Sequence, residues 1–233
     1  MFPFFEDLMR RLLPSLFSAL FAIAMPANAR TVQDEQFWLN LTAMGPISGK
    51  LVYFAEIQPR IGDGISRADQ TLLRGALGWK LSSNVTVYQG YAHVMLPARD
   101  GRDVNEERSF QQANWAIGKP WGGELSSRTR LEQRWRSDGG DMGWRLREML
   151  RYEKPLGSMA VNALIYGEGF VALNSTDWGA KGGFDQLRSF AGAEIGLGGA
   201  STAEIGYLNQ LIDQRGGNRR INHVASVTLF FRR

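Results

Sequence analysis

The sequence lacks cysteine altogether and carries only two histidines among its 233 residues. The absence of cysteine excludes disulfide bonds, thiol redox chemistry and cysteine-ligated zinc. We expect no metal site and no cofactor, because the acidic and glycine-rich motifs fit neither a calcium loop nor a nucleotide site. The formal net charge of +4, without a basic tail, is small for a nucleic-acid-binding protein.

Long apolar runs are also missing after residue 29, and the mean hydropathy of the chain is −0.24. The sequence after that point therefore contains no helix of the ~20 apolar residues needed to span a membrane. Taken alone, the average hydropathy indicates a soluble domain. Glycine, by contrast, is abundant, with 27 residues, and this indicates many turns.

The first 29 residues have the pattern of a secretory signal peptide. Two arginines at 10–11 precede an apolar stretch at 12–25, and the small residues Ala27 and Ala29 occupy positions −3 and −1 of a cleavage site. The sequence therefore predicts export, cleavage after Ala29 and a single mature domain at 30–233.

After residue 35, apolar and polar residues alternate with a period of two, which is typical of β-strands with two different faces. Eleven such segments are separated by turn-forming residues, and short connections alternate with longer polar ones, as in an outer-membrane β-barrel. The predicted strands are 36–43, 50–60, 67–81, 84–96, 104–118, 123–136, 142–154, 158–172, 184–197, 200–213 and 219–232.

The pattern predicts an all-β fold, an antiparallel up-and-down transmembrane β-barrel of ten to twelve strands. Bacterial barrels with both termini in the periplasm have an even number of strands. We therefore expect ten wall strands, with the segment 36–43 outside the wall. The alternative is twelve strands, of which the alternation reveals only eleven.

One face of these strands is rich in arginine and glutamate at a spacing of two residues. In 124–136, for example, Arg128, Arg130 and Glu132 share one face of the strand, whereas Leu131 lies on the opposite face. Such mixed charges fit a barrel interior, where each buried charge needs a partner on a neighbouring strand. The predicted interior network is Glu56, Arg60, Arg74, Glu106, Arg108, Arg128, Arg130, Glu132, Arg134, Arg145, Arg147, Arg151, Glu168, Arg188, Glu194 and Glu204.

The opposite face is apolar and carries aromatic residues near the strand ends. Two aromatic bands are typical of the interfacial girdles of transmembrane barrels. The predicted girdle consists of Trp79, Trp115, Tyr152 and Phe231 near the short turns and of Trp135 and Trp144 near a long loop. One charged residue, Glu148, breaks the pattern because it lies on the apolar face of 142–154.

Several of these polar rows resemble the bacterial family catalogued as domain of unknown function 2490. The matching motifs are Glu106 and Arg108 with Gln111-Gln112, the row from Arg128 to Arg134, Arg145 with Arg147, Glu168-Gly169-Phe170, the row from Phe184 to Arg188, and the row from Glu204 to Gln210. The resemblance covers nearly all of the chain after residue 29. It implies an exported outer-membrane β-barrel and no particular activity.

The rows of arginine and glutamate have two interpretations. In the first, cross-strand ion pairs stiffen the wall and fill the interior, so that the protein has a structural or barrier-associated role. In the second, the barrel is a narrow diffusion channel that favours anions, because arginine outnumbers glutamate in the predicted network. We expect the first, because eight strands enclose only enough space for their own side chains and about ten enclose little more.

A third hypothesis is an outer-leaflet lipid hydrolase or acyl transferase. Only His93 and His223 offer an imidazole base. His223 has the same outward parity as Asn209 and Ser189 on the two preceding strands. At ~4.8 Å per strand, however, Ser189 and His223 would lie ~9–10 Å apart, and the sequence therefore favours a protein without catalytic activity.

Together these features predict the outer membrane of a Gram-negative bacterium as the location. The expected partners are outer-membrane lipid, lipopolysaccharide and the barrel-assembly machinery, with no nucleic acid. Arg219, Arg220 and the loop cations offer positive charge for lipopolysaccharide phosphates. We expect a monomer.

Overall fold

A computed structural model describes residues 30–157, 160–214 and 217–233. The predicted signal peptide, residues 1–29, lies outside the described residues. No helix in the described ranges is long and apolar enough to cross a membrane. These ranges form a single turn of 3-10 helix, Pro120–Gly122, and the strands β1 Thr31–Ser48, β2 Leu51–Gly62, β3 Arg67–Lys80, β4 Val85–Leu96, β5 Val104–Gly118, β6 Glu124–Arg136, β7 Gly143–Pro155, β8 Val161–Ala172, β9 Gly183–Gly198, β10 Ser201–Asp213 and β11 Arg219–Arg232.

The strands form one closed barrel in which each strand pairs antiparallel with its neighbours in sequence. The barrel closes between β1 and β11, which run parallel from Thr31 opposite Arg219 to Met44 opposite Arg232. The predicted all-β barrel of ten to twelve strands is therefore confirmed, with eleven strands among the described residues. The preference for ten strands was wrong. The segment 36–43 belongs to the wall, because a parallel closing pair allows an odd number of strands.

The alternation of apolar and polar residues predicted ten of the strands to within three residues at each end. β1 is the exception, since it extends beyond the predicted 36–43 in both directions. Apart from Val32, its first residues, Thr31 to Glu35, are polar, and they lie on both faces. Pro46 interrupts its other end beside a register shift against β2. Neither end shows the alternation that reveals a strand in sequence.

The connections at one end of the barrel have two to five residues, and those at the other end have four to ten. The end with the short connections, at 49–50, 81–84, 119–123, 156–160 and 199–200, is called here the turn end. The end with the connections 63–66, 97–103, 137–142, 173–182 and 214–218 is called the loop end. Because β1 runs toward the connection 49–50, it begins at the loop end, whereas β11 finishes at the turn end.

Part of the barrel interior is an apolar core. Trp38, Leu164, Phe190, Leu208 and Val224 pack together there and are at most 5% exposed. They come from β1, β8, β9, β10 and β11, so this core lies on the closing strand pair and on the three strands next to β11.

Close packing of aromatic rings against the wall requires glycine at two places in the interior. A Cβ atom at Gly90 would lie 2.1 Å from Cζ of Phe110 on the neighbouring strand. At Gly206, opposite Gly192, a Cβ would lie 2.6 Å from Cζ of Phe190. Each ring therefore lies against the backbone of a glycine. A larger residue at either glycine would occupy the space that the ring fills.

Candidate functional site

The barrel interior contains the charged side chains that the sequence assigned to the network. They are buried or half-buried, and nearly all of them line one internal cavity of about 760 Å³. The period of two places them on the inner face, and the strand register then decides which charges meet. Their contacts form clusters that follow the barrel from the loop end to the turn end.

Glu132 is the centre of the most deeply buried cluster. The register of β6 and β7 places it opposite Arg145. Its carboxylate accepts hydrogen bonds from Nε and Nη2 of Arg145 at 2.9 and 2.6 Å, and from Nη1 of Arg147 at 2.7 Å. Arg145 also donates to Asp185 at 3.1 Å. Only 1% of Glu132 is exposed, so two guanidinium groups compensate a charge that water does not reach.

Glu168 extends this cluster, which includes residues of β6, β7 and β9, to a fourth strand, β8. Its Oε1 accepts hydrogen bonds from Nη2 of Arg147 at 2.7 Å and from Nη2 of Arg128 at 2.8 Å. Arg188, which lies opposite Glu168 in the register of β8 and β9, approaches its Oε2 to 3.8 Å. Arg147 therefore bridges Glu132 and Glu168, and the two carboxylates form one continuous cluster.

Two other carboxylates hold arginines near the loop end and at mid-barrel. The Glu106 carboxylate accepts hydrogen bonds from Nε and Nη2 of Arg108 at 2.8 and 3.1 Å. Arg134 also donates hydrogen bonds to this carboxylate. Glu56 lies opposite Arg74 in the register and forms an ion pair with it. These pairs join β2 to β3 and β5 to β6 through the interior.

Arg151 organises a cluster at the turn end. Its guanidinium contacts Glu153 on its own strand, Glu194 at 3.3 Å and Glu204 at 2.7 Å. Glu194 and Glu204 lie opposite each other on β9 and β10. Here three carboxylates surround one arginine, whereas arginine is in excess toward the loop end.

Two arginines of the network have amide partners. Arg60 donates to Gln70 at 2.6 Å and to Gln58 at 2.8 Å, and no carboxylate lies within 4.0 Å of it among the described residues. Arg130 donates to Gln112 and approaches Glu132 only to 3.7 Å. Both arginines are buried. Because neither has a carboxylate within hydrogen-bond distance, their charges are compensated less fully than those of the arginines that have one.

Aromatic rings inside the barrel provide a second set of partners that the sequence analysis did not identify. The guanidinium of Arg60 lies 3.8 Å from the ring centre of Trp38, and that of Arg130 lies 4.5 Å from Phe110. Phe170 lies 4.4 Å from Arg147. Contacts of this kind stabilise desolvated cations. The alternation of residues along each strand places these rings on the same face as the charged side chains. This was the signal in the sequence that could have identified them as partners of the arginines.

Two connections at the loop end contact each other. The carboxylate of Asp177 accepts hydrogen bonds from the backbone N–H groups of Gly140 at 2.8 Å and of Asp141 at 3.2 Å. The Asp141 carboxylate in turn accepts the N–H of Asp177 at 2.8 Å. These hydrogen bonds lower the pKa of Asp177, the Gly140 contact most strongly.

Trp178 connects these two connections to arginines at the loop end. Its indole Nε1–H donates to the carbonyl of Asp141 at 2.7 Å, and its ring centre lies 5.1 Å from the guanidinium of Arg134 and 5.4 Å from that of Arg136. The connections 137–142 and 173–182 thereby lie against the arginines at the loop end. The sequence analysis treated both as simple loops.

The predicted girdle residues lie at the two ends of the outer wall. Trp79, Trp115 and Phe231 are about half exposed at the turn end, where Tyr152 donates a hydrogen bond to the carbonyl of Pro120. Trp135, which is 40% exposed, and the partly exposed Trp144 lie at the loop end.

The three residues of the lipid-hydrolase hypothesis lie on the outer wall but do not form a triad. Asn209 lies between Ser189 and His223 in the register, so a strand separates the serine from the histidine. The His223 ring contacts the Tyr207 hydroxyl at 2.6 Å and Gln33 at 3.3 Å. Among the described residues, no contact connects Ser189 to His223.

Other predicted sites can now be located. Within the described ranges, no group of histidine, aspartate and glutamate residues has the arrangement of a metal site. Arg220, considered above for lipopolysaccharide phosphates, forms an ion pair with Asp34 at 3.0 Å. Its charge is therefore already shared with a carboxylate of the neighbouring strand β1.

Comparison with known proteins agrees with the resemblance seen in the sequence. Residues 35–221 match the family model described as "Protein of unknown function (DUF2490)". An uncharacterized protein of Methylorubrum extorquens is 49% identical over 225 residues, which cover 96% of this chain and 97% of the relative. No solved structure matches the chain.

Proposed function

Because the chain belongs to the DUF2490 family of proteins of unknown function, we propose its role from its structure: an outer-membrane β-barrel whose ion-paired interior makes it a structural, barrier-associated element of the wall. One observation carries this proposal. Charged side chains are buried inside the barrel, whereas large apolar side chains are exposed on its outside. Such a distribution is the inverse of a water-soluble barrel and fits a hydrocarbon environment.

The outer wall supports a membrane location at the level of single residues. Exposed apolar side chains occur at mid-strand on many strands, as in the case of Ile57 at 41%, Leu77 at 58%, Ile165 at 53% and Ile205 at 49%. A soluble monomer rarely exposes so continuous an apolar surface. In lipid, a closed barrel also satisfies every backbone hydrogen bond of the wall, which an open sheet does not.

The dimensions of the strands support the same location. A tilted strand needs about 9–11 residues to cross the hydrocarbon layer, and the strands here have 12 to 18 residues. Aromatic side chains at both ends, Trp79 and Trp115 on one side and Trp135 on the other, lie where the lipid headgroups would be. The predicted signal peptide, cleavage after Ala29 and the barrel-assembly machinery would bring the chain to this membrane.

The interior explains the barrier-associated role. Glu132 and Glu168 connect four arginines from β6, β7 and β9, so ion pairs join the four adjacent strands β6 to β9 on the inner face of the wall. Removing one member of a buried ion pair leaves an uncompensated charge. The cluster therefore resists rearrangement, and its members Glu132, Glu168, Arg145 and Arg147 are at most 4% exposed.

Fractionation and gel migration test the proposal. We expect the full-length protein, expressed in a Gram-negative host, in the outer-membrane fraction. We also expect it to migrate faster in detergent gels before boiling than after, because a closed barrel stays compact until heated. Recovery as soluble periplasmic protein would contradict the proposal.

A narrow anion-selective channel is the second candidate, and the excess of arginine favours it. The cavity of about 760 Å³ is lined at the turn end by Ser83 and Asn84 and at the loop end by Asp69 and Arg220. Planar-bilayer recordings separate the two roles. A channel predicts conductance that persists in Arg128→Ala and increases in Arg130→Ala, because Arg130 occupies the buried centre. Silence in the wild type and both variants contradicts the channel.

A further inference from the structure

Arginines outnumber carboxylates around the internal cavity. Thirteen arginines line it: Arg60, Arg74, Arg108, Arg128, Arg130, Arg134, Arg136, Arg145, Arg147, Arg151, Arg188, Arg220 and Arg232. Six carboxylates line it with them, Glu56, Asp69, Glu106, Glu153, Glu168 and Glu204. Five further carboxylates form ion pairs with these arginines, Asp34, Glu132, Asp138, Asp185 and Glu194. Among the described residues, the cavity therefore has an excess of two positive charges.

Two of these arginines, Arg60 and Arg188, meet at one aromatic ring. The guanidinium of Arg60 lies 3.8 Å from the ring centre of Trp38, and that of Arg188 lies 5.1 Å from it. The arginines come from β2 and β9, and the ring comes from β1. Two like charges from separate strands are therefore brought together on the inner face of the wall.

Arg60 is held in place and still has a free donor. Its Nη1 donates to Gln70 at 2.6 Å and its Nη2 to Gln58 at 2.8 Å, whereas its Nε is buried without a partner. Only 8% of this arginine is exposed. Trp38 is fixed as well, because its indole N–H donates to Oε1 of Gln36 at 2.8 Å. The free N–H of Arg60 is therefore positioned before any ligand arrives.

Arg188 has more unused capacity. It donates no hydrogen bond to another described residue, and its Nε is buried without a partner. Oε2 of Glu168 lies 3.8 Å from it, which is too long for a hydrogen bond. Glu168 already accepts hydrogen bonds from Arg128 and Arg147. A guanidinium has five N–H donors, so Arg188 offers donors and has only a shared counter-charge.

An anion satisfies these two arginines better than water does. The cavity of about 760 Å³ has room for either, and it lies within the size range of small-molecule sites. Water would accept the free N–H groups but would leave the buried charges without a counter-charge, which is strongly unfavourable. A phosphate group carries about −1.5 to −2 charges at pH 7, which matches the excess. Its oxygens also fit the planar fork of a guanidinium.

We propose that the barrel interior binds one phosphate group at Arg60, Arg188 and Trp38, which we call the phosphate site. The ligand is inorganic phosphate or a small phosphate monoester, since both present the same oxygens to the arginines. The cavity lining extends from Asn84 near the turn end to Arg220 near the loop end, so the ligand does not have to cross the wall. The site requires only the closed barrel and does not depend on the proposed membrane location.

Phosphate titration of the purified protein tests the site. The protein in detergent micelles is dialysed against phosphate-free buffer, and any retained phosphate is released by boiling and quantified. We expect retained and calorimetrically titrated phosphate together to equal one per chain. Arg188→Met should bind at least about tenfold more weakly, because charge-assisted hydrogen bonds are lost. The matched control, Arg99→Met, removes the same charge from a side chain that is 62% exposed and should bind like the wild type.

Thermal unfolding distinguishes a ligand-binding arginine from a structural one. Without phosphate, Arg188→Met should unfold at the wild-type temperature or above it, because the substitution removes a poorly compensated buried charge and leaves no hydrogen-bond partner unsatisfied. Phosphate at 100 times its Kd should raise the unfolding temperature of the wild type by mass action. The same concentration should raise that of Arg188→Met much less. Arg60→Met is the second variant and should show the same loss of phosphate binding.

Comparison of ligands identifies the source of the phosphate group. Equal binding of glycerol 3-phosphate and inorganic phosphate would assign the site to phosphate monoesters, whereas binding of inorganic phosphate alone would assign it to the free ion. Three results would overturn the site: no saturable binding to the wild type, equal stabilisation by chloride at the same ionic strength, or equal affinity in Arg188→Met and Arg99→Met. None of them changes the proposed function, which fractionation tests separately.

Discussion

Thr31, at the start of β1, pairs with Arg219, at the start of β11, and the two strands run in the same direction. The two strands therefore begin at the same end of the barrel. In an even-stranded barrel the first and last strands are antiparallel, so both chain ends emerge on one side. Here Arg30 lies at the loop end and Arg233 at the turn end. The first and last described residues therefore lie at opposite ends of the barrel.

This topology predicts opposite accessibility for the two ends in cells. If the barrel spans the outer membrane as proposed, with the short turns in the periplasm, we expect Arg30→Cys to react with a large, impermeant maleimide in intact cells. Arg233→Cys should react only after the outer membrane is permeabilised. Trp121→Cys, 82% exposed at the turn end, is the control for that side. Equal labelling of both termini under one condition would contradict the parallel closure.

The buried carboxylate at Glu132 predicts a large loss of stability in Glu132→Gln. Arg145 and Arg147 would lose their shared counter-charge while remaining buried. We expect the free energy of unfolding to fall by about 3 kcal/mol, near the lower limit for breaking a buried pair, because Asp185 and Glu168 still hold the two arginines. Denaturant unfolding in detergent micelles measures this change.

The matched control for that experiment is Glu124→Gln. Glu124 also forms an ion pair, with Lys119, but its side chain is 63% exposed. Exposed pairs contribute between zero and about 1 kcal/mol, so this variant should unfold like the wild type. Equal losses in the two variants would show that burial does not strengthen the dependence on Glu132.

Parity predicted the faces of the wall because one side of each strand is apolar and the other charged. Glu132 and Arg145 were both assigned to the interior on that basis. Their pairing was not predictable, since it depends on the register of β6 and β7, which the intervening connection sets. The same holds for Gln89 and Gln111, whose contact on the outer wall requires the register of β4 and β5.

Other features leave little trace in the sequence. The polar start of β1 from Thr31 hid the parallel closure, because alternation is lost when both faces are polar. Trp38 and Phe190 stand among charged residues by parity, yet they pack in an apolar core. The contact between Asp141 and Asp177 connects two loops 36 residues apart, and only the fold brings these loops together.

The fit of Phe110 against the wall predicts that Gly90→Ala destabilises the barrel. The added methyl group would lie 2.1 Å from the ring, so the ring or the strand must move. Overpacking of this kind costs about 1–3 kcal/mol. Gly75→Ala on β3 is the control, because nothing lies within 4 Å of its Cβ position. Thermal unfolding of both variants measures the effect, and an equally stable Gly90→Ala variant would contradict the packing.

The hydrogen-bonded contact between the connections 137–142 and 173–182 predicts that they separate locally at acidic pH. The pKa of Asp177 is lowered mainly by the N–H of Gly140, and the N–H of Asp141 contributes in the same direction. A carboxylate with a lowered folded pKa stabilises the contact at every pH above its unfolded value of about 4. This stabilisation is lost as the pH falls from there through the folded value, where Asp177 takes up a proton.

Hydrogen exchange locates this opening. We expect protection factors, which are corrected for the intrinsic pH dependence of exchange, to fall below about pH 4 for amides in 137–142 and 173–182. Amides of the mid-strand segments should remain protected, because the barrel itself does not open. Asp177→Asn retains one acceptor oxygen without the charge, so its loops should be less protected at neutral pH and change little on acidification. An acid response in that variant as large as in the wild type would assign the opening to another group.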